Sequence, residues 1–143
     1  MKRYGDKVHE HLASSGLAPK LHKVVSFPGG LKAVIMNKVK GGSSLNDVSE
    51  DKLVENDWML FRETLKKSLK EKSFVHVELR CQNILLSGTS QFAVVNFDWA
   101  GEYGDVKYPL DINLAETCGW ASGVDCGVLI ESSHDHYQLE NLL

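Results

Sequence analysis

Apolar residues recur at helical spacing through the middle of the chain. They follow one another at steps of four, three, four and four: Val54, Trp58, Phe61, Leu65 and Leu69. This spacing places them on one face of a helix, and lysines populate the opposite face. Ser49 can cap such a helix, since Glu50 and Asp51 would then lie in the first turn, near the positive end of the helix dipole. The pattern predicts a long helix from Ser49 to Lys72 with one buried face.

Two shorter helices are predicted near the ends of the sequence. From Tyr4 to Ser15 the apolar residues again keep helical spacing, and Gly16 supplies the left-handed stop that helices favour at their C-terminal end. A final helix is predicted from Glu131 to Leu143. The three helices are separated by long segments with a different pattern.

Runs rich in Val, Ile and Leu predict two β-hairpins. Leu21 to Phe27 and Leu31 to Val39 flank Pro28-Gly29-Gly30, whose restricted and permissive backbones suit a tight turn. Ile84 to Leu86 and Phe92 to Val95 flank a second turn of small polar residues. Helices and antiparallel hairpins together predict an α+β fold.

Length, charge and cysteine content narrow the class of protein. A chain of 143 residues with 43% hydrophobic content predicts a single domain over residues 1–143. The formal net charge of -3 argues against a nucleic-acid partner, and no apolar run approaches the roughly 20 residues of a membrane span. An odd number of cysteines, Cys81, Cys118 and Cys126, favours a reducing intracellular compartment, cytoplasmic or nuclear.

The segment from His76 to Gly101 carries the candidate chemistry. Glu78 and Asn83 stand five positions apart, a hairpin follows, and Asn96 and Asp98 come directly after it. This order resembles the catalytic loop and metal-binding segment of the protein-kinase-like fold, with its pattern His-x-Asp-x-x-x-x-Asn and then Asp-Phe-Gly. The resemblance implies that Glu78 takes the place of the catalytic base and Asn83 that of a magnesium ligand. It also implies that His76 supports the loop structurally.

The resemblance is closer to a group of kinase-like domains common in fungi. It rests on Phe97-Asp98-Trp99-Ala100-Gly101 and on Tyr108-Pro109-Leu110, and it covers most of the chain. It implies a kinase-like C-lobe with an incomplete N-lobe, made of a short helix and a two-stranded hairpin. ATP and magnesium are the cofactors it implies. Asn96 then stands where the metal-binding Asp is expected, and Asp98 is a partial substitute.

The same resemblance assigns a nucleotide edge to the end of the first hairpin. Ile35-Met36-Asn37-Lys38-Val39 is similar to the passage from strand to hinge. Met36 therefore takes the gatekeeper position, and the backbone from Asn37 to Val39 takes the place of the edge that binds adenine.

Three departures from the pattern indicate a domain without catalytic activity. Glu78 adds a methylene to the expected Asp, and a displacement of about 1 Å can cost about a hundredfold in rate. Asn96 is neutral, whereas Mg²⁺ that bridges phosphates is usually held through one or two carboxylates. No Gly-rich loop and no strand-borne lysine stand before the first helix. We therefore expect a pseudokinase or kinase-like fragment that binds or scaffolds another protein.

Two alternatives stay open at this point. The chain is an active phosphotransferase that uses Glu78 as base with Asn83 and Asp98 on the metal, or it is completed by upstream residues or by a partner chain. For Asn83 itself, a metal ligand and a loop-stabilising amide are both consistent with the sequence. The odd thiols and the scattered histidines do not match a zinc motif.

Overall fold

The computed structural model describes residues 3–88, 90–110, 112–114 and 120–142. The described helices are α1 (Asp6–Ser14), α2 (Glu55–Glu71) and α3 (Ser132–Glu140). The strands are β1 (Leu21–Ser26), β2 (Lys32–Met36), β3 (Ser43–Ser44), β4 (Phe74–Val75), β5 (Ile84–Ser87), β6 (Gln91–Val94) and β7 (Gly101–Glu102). Helices and small antiparallel sheets make this an α+β structure, as the sequence predicts.

The strands form three small sheets. Among the described residues β1 pairs only with β2, β5 lies between β3 and β6, and β4 pairs with β7. Both predicted hairpins are confirmed, in the registers that join Val24 to Val34 and Leu85 to Ala93. The strands of the first hairpin are shorter than predicted, because the chain leaves it after Met36. In the second hairpin β5 extends one residue further, to Ser87, and β6 is shifted by one residue, from Gln91 to Val94.

The predicted start of the long helix is wrong. Residues Glu50–Lys52 form a short 3-10 turn, and the α-helix begins only at Glu55, with Val54 in extended conformation before it. Trp58 N–H donates to the Val54 carbonyl at 3.0 Å and closes the first turn. Leu53 packs against the core. The extended step at this point brings Leu53 inward, and Ser49 therefore caps nothing in α2.

The buried face of α2 follows the predicted stripe from its second turn onwards. Trp58, Phe61, Leu65 and Leu69 are buried, whereas Val54 is 44% exposed because it precedes the helix. The rings of Trp58 and Phe61 lie 5.5 and 5.1 Å from the ring of Phe92 on β6. The apolar face of α2 thus packs directly on the second hairpin.

The helix α1 closes the other side of this core. It begins at Asp6, two residues later than predicted, because Gly5 N–H donates to the Phe97 carbonyl at 2.8 Å. A Cβ at position 5 would lie 2.6 Å from the carbonyl oxygen of Ala100, so the close approach requires glycine. The segment after the candidate loop is therefore held against the start of α1.

A second, smaller core lies under the segment that follows β7. It joins Val75, Val77, Val106, Tyr108 and Ile130. α3 follows it and spans fewer residues than predicted, from Ser132 to Glu140. Cys118 lies outside the described residues. Over the described ranges, no helix is both long enough and apolar enough to cross a membrane.

Candidate functional site

The loop between β4 and β5 is fixed by the side chains of α3. The carboxylate of Asp135 accepts hydrogen bonds from the backbone N–H of His76 at 2.6 Å and of Val77 at 2.8 Å. One turn further along α3, Gln138 Oε1 accepts the N–H of Leu79 at 3.1 Å. Asp135 and Gln138 are both buried. The backbone N–H groups of His76, Val77 and Leu79, which the loop would otherwise bury unpaired, are thereby satisfied.

This anchoring holds a strained backbone. Val77 has φ 84°, a region that β-branched residues rarely occupy. Such a conformation persists only where the surrounding structure determines it, and it costs on the order of 1 to 3 kcal/mol. The Val77 side chain is fully buried in the second core. The carboxylate of Asp135 and this packing together impose the turn that follows His76.

The ionisation of Asp135 is itself perturbed by this position. Burial raises the pKa of Asp135 to about 7, and the hydrogen bonds from His76 and Val77 oppose that rise. Both carboxylate oxygens accept an N–H, which is the arrangement that suits the ionised form.

A column of rings joins the loop to α1. The Phe97 ring stacks on His9 at 4.4 Å with planes 8° apart, and it meets His76 in an edge contact at 5.0 Å. His9, Phe97 and His76 are all fully buried. His9 belongs to α1, so the residue before Asp98 is held between the first helix and the loop.

Hydrogen bonds fix the tautomers of both histidines. His76 Nδ1 accepts the N–H of Glu78 at 3.3 Å, so Nε2 carries the proton that it donates to the Val95 carbonyl at 3.1 Å. His9 Nε2 donates to the Pro19 carbonyl at 2.6 Å, and Nδ1 accepts the Tyr4 hydroxyl at 2.7 Å. Protonation of either ring would therefore remove an acceptor inside the core.

We expect His76 to make the protein less stable in acid. Burial lowers the pKa of His76 to about 4, so below the ordinary value of about 6.5 the unfolded chain binds a proton that the folded chain does not. The stability due to neutral His76 is present above pH 6.5 and is lost as pH falls to 4, by about 3 kcal/mol. The raised pKa of Asp135 has the opposite effect, because it favours the folded chain as pH falls over this range. The contribution of His76 is therefore measured as a difference between wild type and a His76 variant.

The measurement is urea unfolding of wild type and His76→Gln at pH 7, 6, 5 and 4. Wild type should be the more stable at pH 7, and the gap between the two should shrink by about 3 kcal/mol towards pH 4. A gap that stays constant with pH would contradict a neutral buried His76.

All four polar residues predicted from the sequence take part in one chain of hydrogen bonds. Asn83 Nδ2 donates to the Glu78 carbonyl at 2.8 Å. Asn96 Nδ2 donates to Asn83 Oδ1 at 3.4 Å, and Asn96 Oδ1 accepts the N–H of Asp98 at 3.4 Å. Asn96 has φ 65°, the left-handed region that Asn tolerates. The structure thus brings the loop and the segment after β6 together through two side-chain amides.

Glu78 and Asp98 are the residues at the two ends of this series of hydrogen bonds. Glu78 is half-buried and Asp98 is exposed. Burial raises the pKa of Glu78, the charge of Asp98 raises it further, and Arg80 opposes both. Because Asn96 turns the backbone at positive φ, the strand alternation that would have placed Asp98 beside it does not continue.

These residues do not fit a magnesium ion. The oxygens of Asn83 and Asn96 already accept hydrogen bonds, and hard divalent cations are bound mainly through carboxylates. No group of three His, Cys, Asp or Glu side chains suited to a metal occurs in the described part of the chain. His134, on α3, has its Nδ1 engaged by the Tyr108 hydroxyl at 2.8 Å.

The predicted nucleotide edge lies at the end of the first hairpin. Met36 is the last residue of β2, opposite Leu21. Asn37 N–H donates to the Lys20 carbonyl at 2.9 Å, and its side-chain oxygen accepts His22 Nε2 at 2.6 Å.

Val39 lines a different part of the structure from the hydrogen-bonded series of Glu78, Asn83, Asn96 and Asp98. It lines a cavity of about 600 Å³ between α2 and the second hairpin, together with Phe61 and Phe92. The described lining of that cavity includes none of the loop residues Glu78 and Asn83.

No protein-family model matches the chain, and no curated protein matches it.

The sequence pattern did not single out the groups that hold the loop in place. Asp135 and Gln138 on α3 and His9 on α1 belong to no motif predicted from the sequence. Asp135 lies in the first turn of α3, where an acid normally interacts with the positive end of the helix dipole and needs no further partner. Its partner is backbone, which no residue pattern identifies.

Proposed function

We propose that this chain is a degenerate kinase-like domain that works as a binding or scaffolding module for another protein. The order of long helix, anchored loop, hairpin and Asn-Phe-Asp segment supports the kinase-like assignment. The loss of phosphotransfer is supported above all by one observation, the side-chain hydrogen bond between Asn83 and Asn96.

This hydrogen bond involves the residue at which the resemblance expects a metal-binding acid. A carboxylate there could still accept the backbone N–H of Asp98, but it would face Asn83 Oδ1 with no donor of its own. The amide of Asn96 donates to one neighbour and accepts from the other. The loop is therefore closed by neutral groups and is complete without a metal.

The raised pKa of Glu78 does not restore catalysis in this proposal. A carboxyl with a raised pKa can serve as a general base only within hydrogen-bond reach of a positioned hydroxyl, and positioning is the larger contribution. With Asn96 neutral and engaged, nothing in the described residues orients a nucleotide phosphate against Glu78.

We expect ATP with Mg²⁺ to leave the melting temperature unchanged. A ligand at about 100 times its Kd stabilises a protein by roughly 2.7 kcal/mol, which thermal denaturation resolves. The measurement compares the chain alone, with Mg²⁺ alone, with ATP alone and with both at millimolar concentration. A shift that needs both ATP and Mg²⁺ would overturn the proposal in favour of an active phosphotransferase with Glu78 as base.

We also expect that restoring the two acids of the pattern does not restore phosphoryl transfer. Glu78→Asp with Asn96→Asp corrects the two polar groups but leaves no Gly-rich loop or strand lysine to cover and position the phosphates. Hydrolysis and autophosphorylation with radiolabelled ATP should stay at the wild-type background. Asn96→Asp alone serves as the control, since it tests the metal position with Glu78 intact. Turnover above background in the double variant would show that the two substitutions by themselves had removed activity.

A further inference from the structure

Charge is unevenly distributed along this chain. From His11 to Asn46 there are five lysines and no acidic residue, and 17 of the 19 acidic residues lie from Asp47 onwards. The five lysines are all exposed: Lys20, Lys23, Lys32, Lys38 and Lys40. The hairpin of β1 and β2, with the residues that flank it, is therefore basic on a protein whose net charge is negative.

The two faces of this hairpin differ in what covers them. Val24 and Val34 point to the face that packs against the main core. By alternation Ile35 lies on the other face, where it is 50% exposed. At the turn, Phe27 and Leu31 are 51% and 57% exposed. The outer face is thus largely apolar and carries Lys23 opposite Ile35, whereas Lys32 lies on β2 at the face of Val34.

The edge of β2 is unpaired. Within the described residues β2 pairs with β1 alone. Phe27 N–H donates to the Leu31 carbonyl at 2.8 Å, so by antiparallel alternation Ala33 and Ile35 are the residues of β2 that bond to β1. The backbone N–H and C=O groups of Lys32 and Val34 then point away from β1 and are free to pair with another strand.

These three features select one kind of partner. We propose that the free edge of β2 binds an extended, acidic segment of another protein, which adds a strand to the hairpin. Main-chain hydrogen bonds to Lys32 and Val34 would supply affinity, and alternate side chains would reach Ile35 and the lysines beside it. Charge complementarity supplies the specificity.

The same features argue against other occupants. A second copy of this edge would set lysine against lysine, because like charges directly opposite each other in a sheet are destabilising. A nucleic acid would use the lysines but not the half-exposed Ile35 face or the unpaired N–H and C=O groups. This proposal stands on the hairpin and not on the loop, so it can fail or hold independently of the ATP experiments.

The first experiment measures binding of synthetic peptides by fluorescence anisotropy at low and physiological salt. The probes are a labelled peptide of alternating Glu and Val and a matched peptide of alternating Lys and Val. We expect the Glu peptide to bind, more weakly at high salt, and the Lys peptide not to bind. Equal binding of both peptides would overturn the proposal.

Strand addition is tested by N-methylation of the Glu peptide. One version carries N-methyl groups on the Glu residues and the other on the Val residues, so that each blocks the N–H groups on one edge of the peptide. A peptide that pairs through one edge should lose binding in one version and keep it in the other. Loss in neither version would overturn strand pairing.

The location is tested by charge reversal with a matched control. Lys23→Glu with Lys32→Glu should weaken binding of the Glu peptide about tenfold or more. Lys67→Glu with Lys70→Glu, on the exposed side of α2, changes the net charge equally and should stay within about twofold. Circular dichroism checks that both variants fold.

Two further results would overturn the proposal. One is a dimer in sedimentation that Ile35→Lys abolishes, since a second copy would then occupy the edge. The other is lysine-dependent binding to phosphatidylserine vesicles by a chain that does not bind the Glu peptide.

Discussion

Phe61→Ala should leave the chain largely unfolded or aggregated. The Phe61 ring is buried, stacks on Phe92 at 5.1 Å and lies 5.9 Å from the ring of Trp58. Removing a buried ring costs about 3 to 5 kcal/mol through lost burial and the cavity left behind. Total stabilities of single domains are about 5 to 15 kcal/mol, so a loss of this size removes much of the total.

The matched control is Lys67→Ala on the same helix. Lys67 is exposed, and an isolated surface charge contributes little, so the variant should unfold within about 0.5 kcal/mol of wild type. Urea and thermal denaturation of the two variants give the comparison. Equal stabilities would mean that α2 does not pack through this face, and the position of the loop after it would have to be reconsidered.

Asp135→Ala should be the second most damaging substitution. It leaves the N–H groups of His76 and Val77 buried without an acceptor, and each such group costs about 1 to 3 kcal/mol. It also removes the group that holds Val77 at positive φ. We expect a loss of about 3 to 5 kcal/mol in urea unfolding.

Two companion variants separate the hydrogen bonds from the charge. Asp135→Asn keeps one acceptor oxygen but turns an NH₂ towards the other N–H, so it should cost about 1 to 3 kcal/mol, less than Ala. Asp51→Ala removes an exposed acid that precedes α2 and should be nearly silent. If Asn and Ala cost the same, the carboxylate does not hold the loop through these two bonds.

Pairing of the second hairpin explains why Asn83 and Asn96 lie close together. Asn83 and Asn96 belong to segments on either side of the second hairpin, and the pairing of β5 with β6 returns the chain to the loop. Val95 N–H then donates to the Asn83 carbonyl at 2.9 Å. The hairpin and its approximate bounds were predictable, so the proximity of these two asparagines followed from the sequence.

The orientation of their side chains did not follow. Whether Asn83 would offer its oxygen to a metal or to an amide depends on Asn96, whose positive φ breaks the strand alternation. Asn accepts this conformation more readily than most residues, but tolerance does not establish that the conformation is used. The kinase-like assignment and its nucleotide edge at Met36, Asn37 and Val39 stay predictions.

The spacing of apolar residues along the chain was enough to predict the elements that bury one face. The stripe of Trp58, Phe61, Leu65 and Leu69, the two hairpins and the α+β class could be read from it, because burial of one face imposes a spacing that the sequence must carry. The start of α2 could not be predicted in this way. Ser49 satisfies the local capping rule, but Leu53 packs against the core and the helix begins only at Glu55.

Tertiary structure alone decided which groups support the loop. Asp135 and Gln138 hold it by accepting backbone N–H bonds from residues nearly sixty positions away, and a backbone donor leaves no signature in the sequence. The same holds for the ring column of His9, Phe97 and His76, in which residues from three segments meet only after the chain has folded. Sequence determined the elements through their local periodicity, and long-range contacts between them determined the geometry of the site.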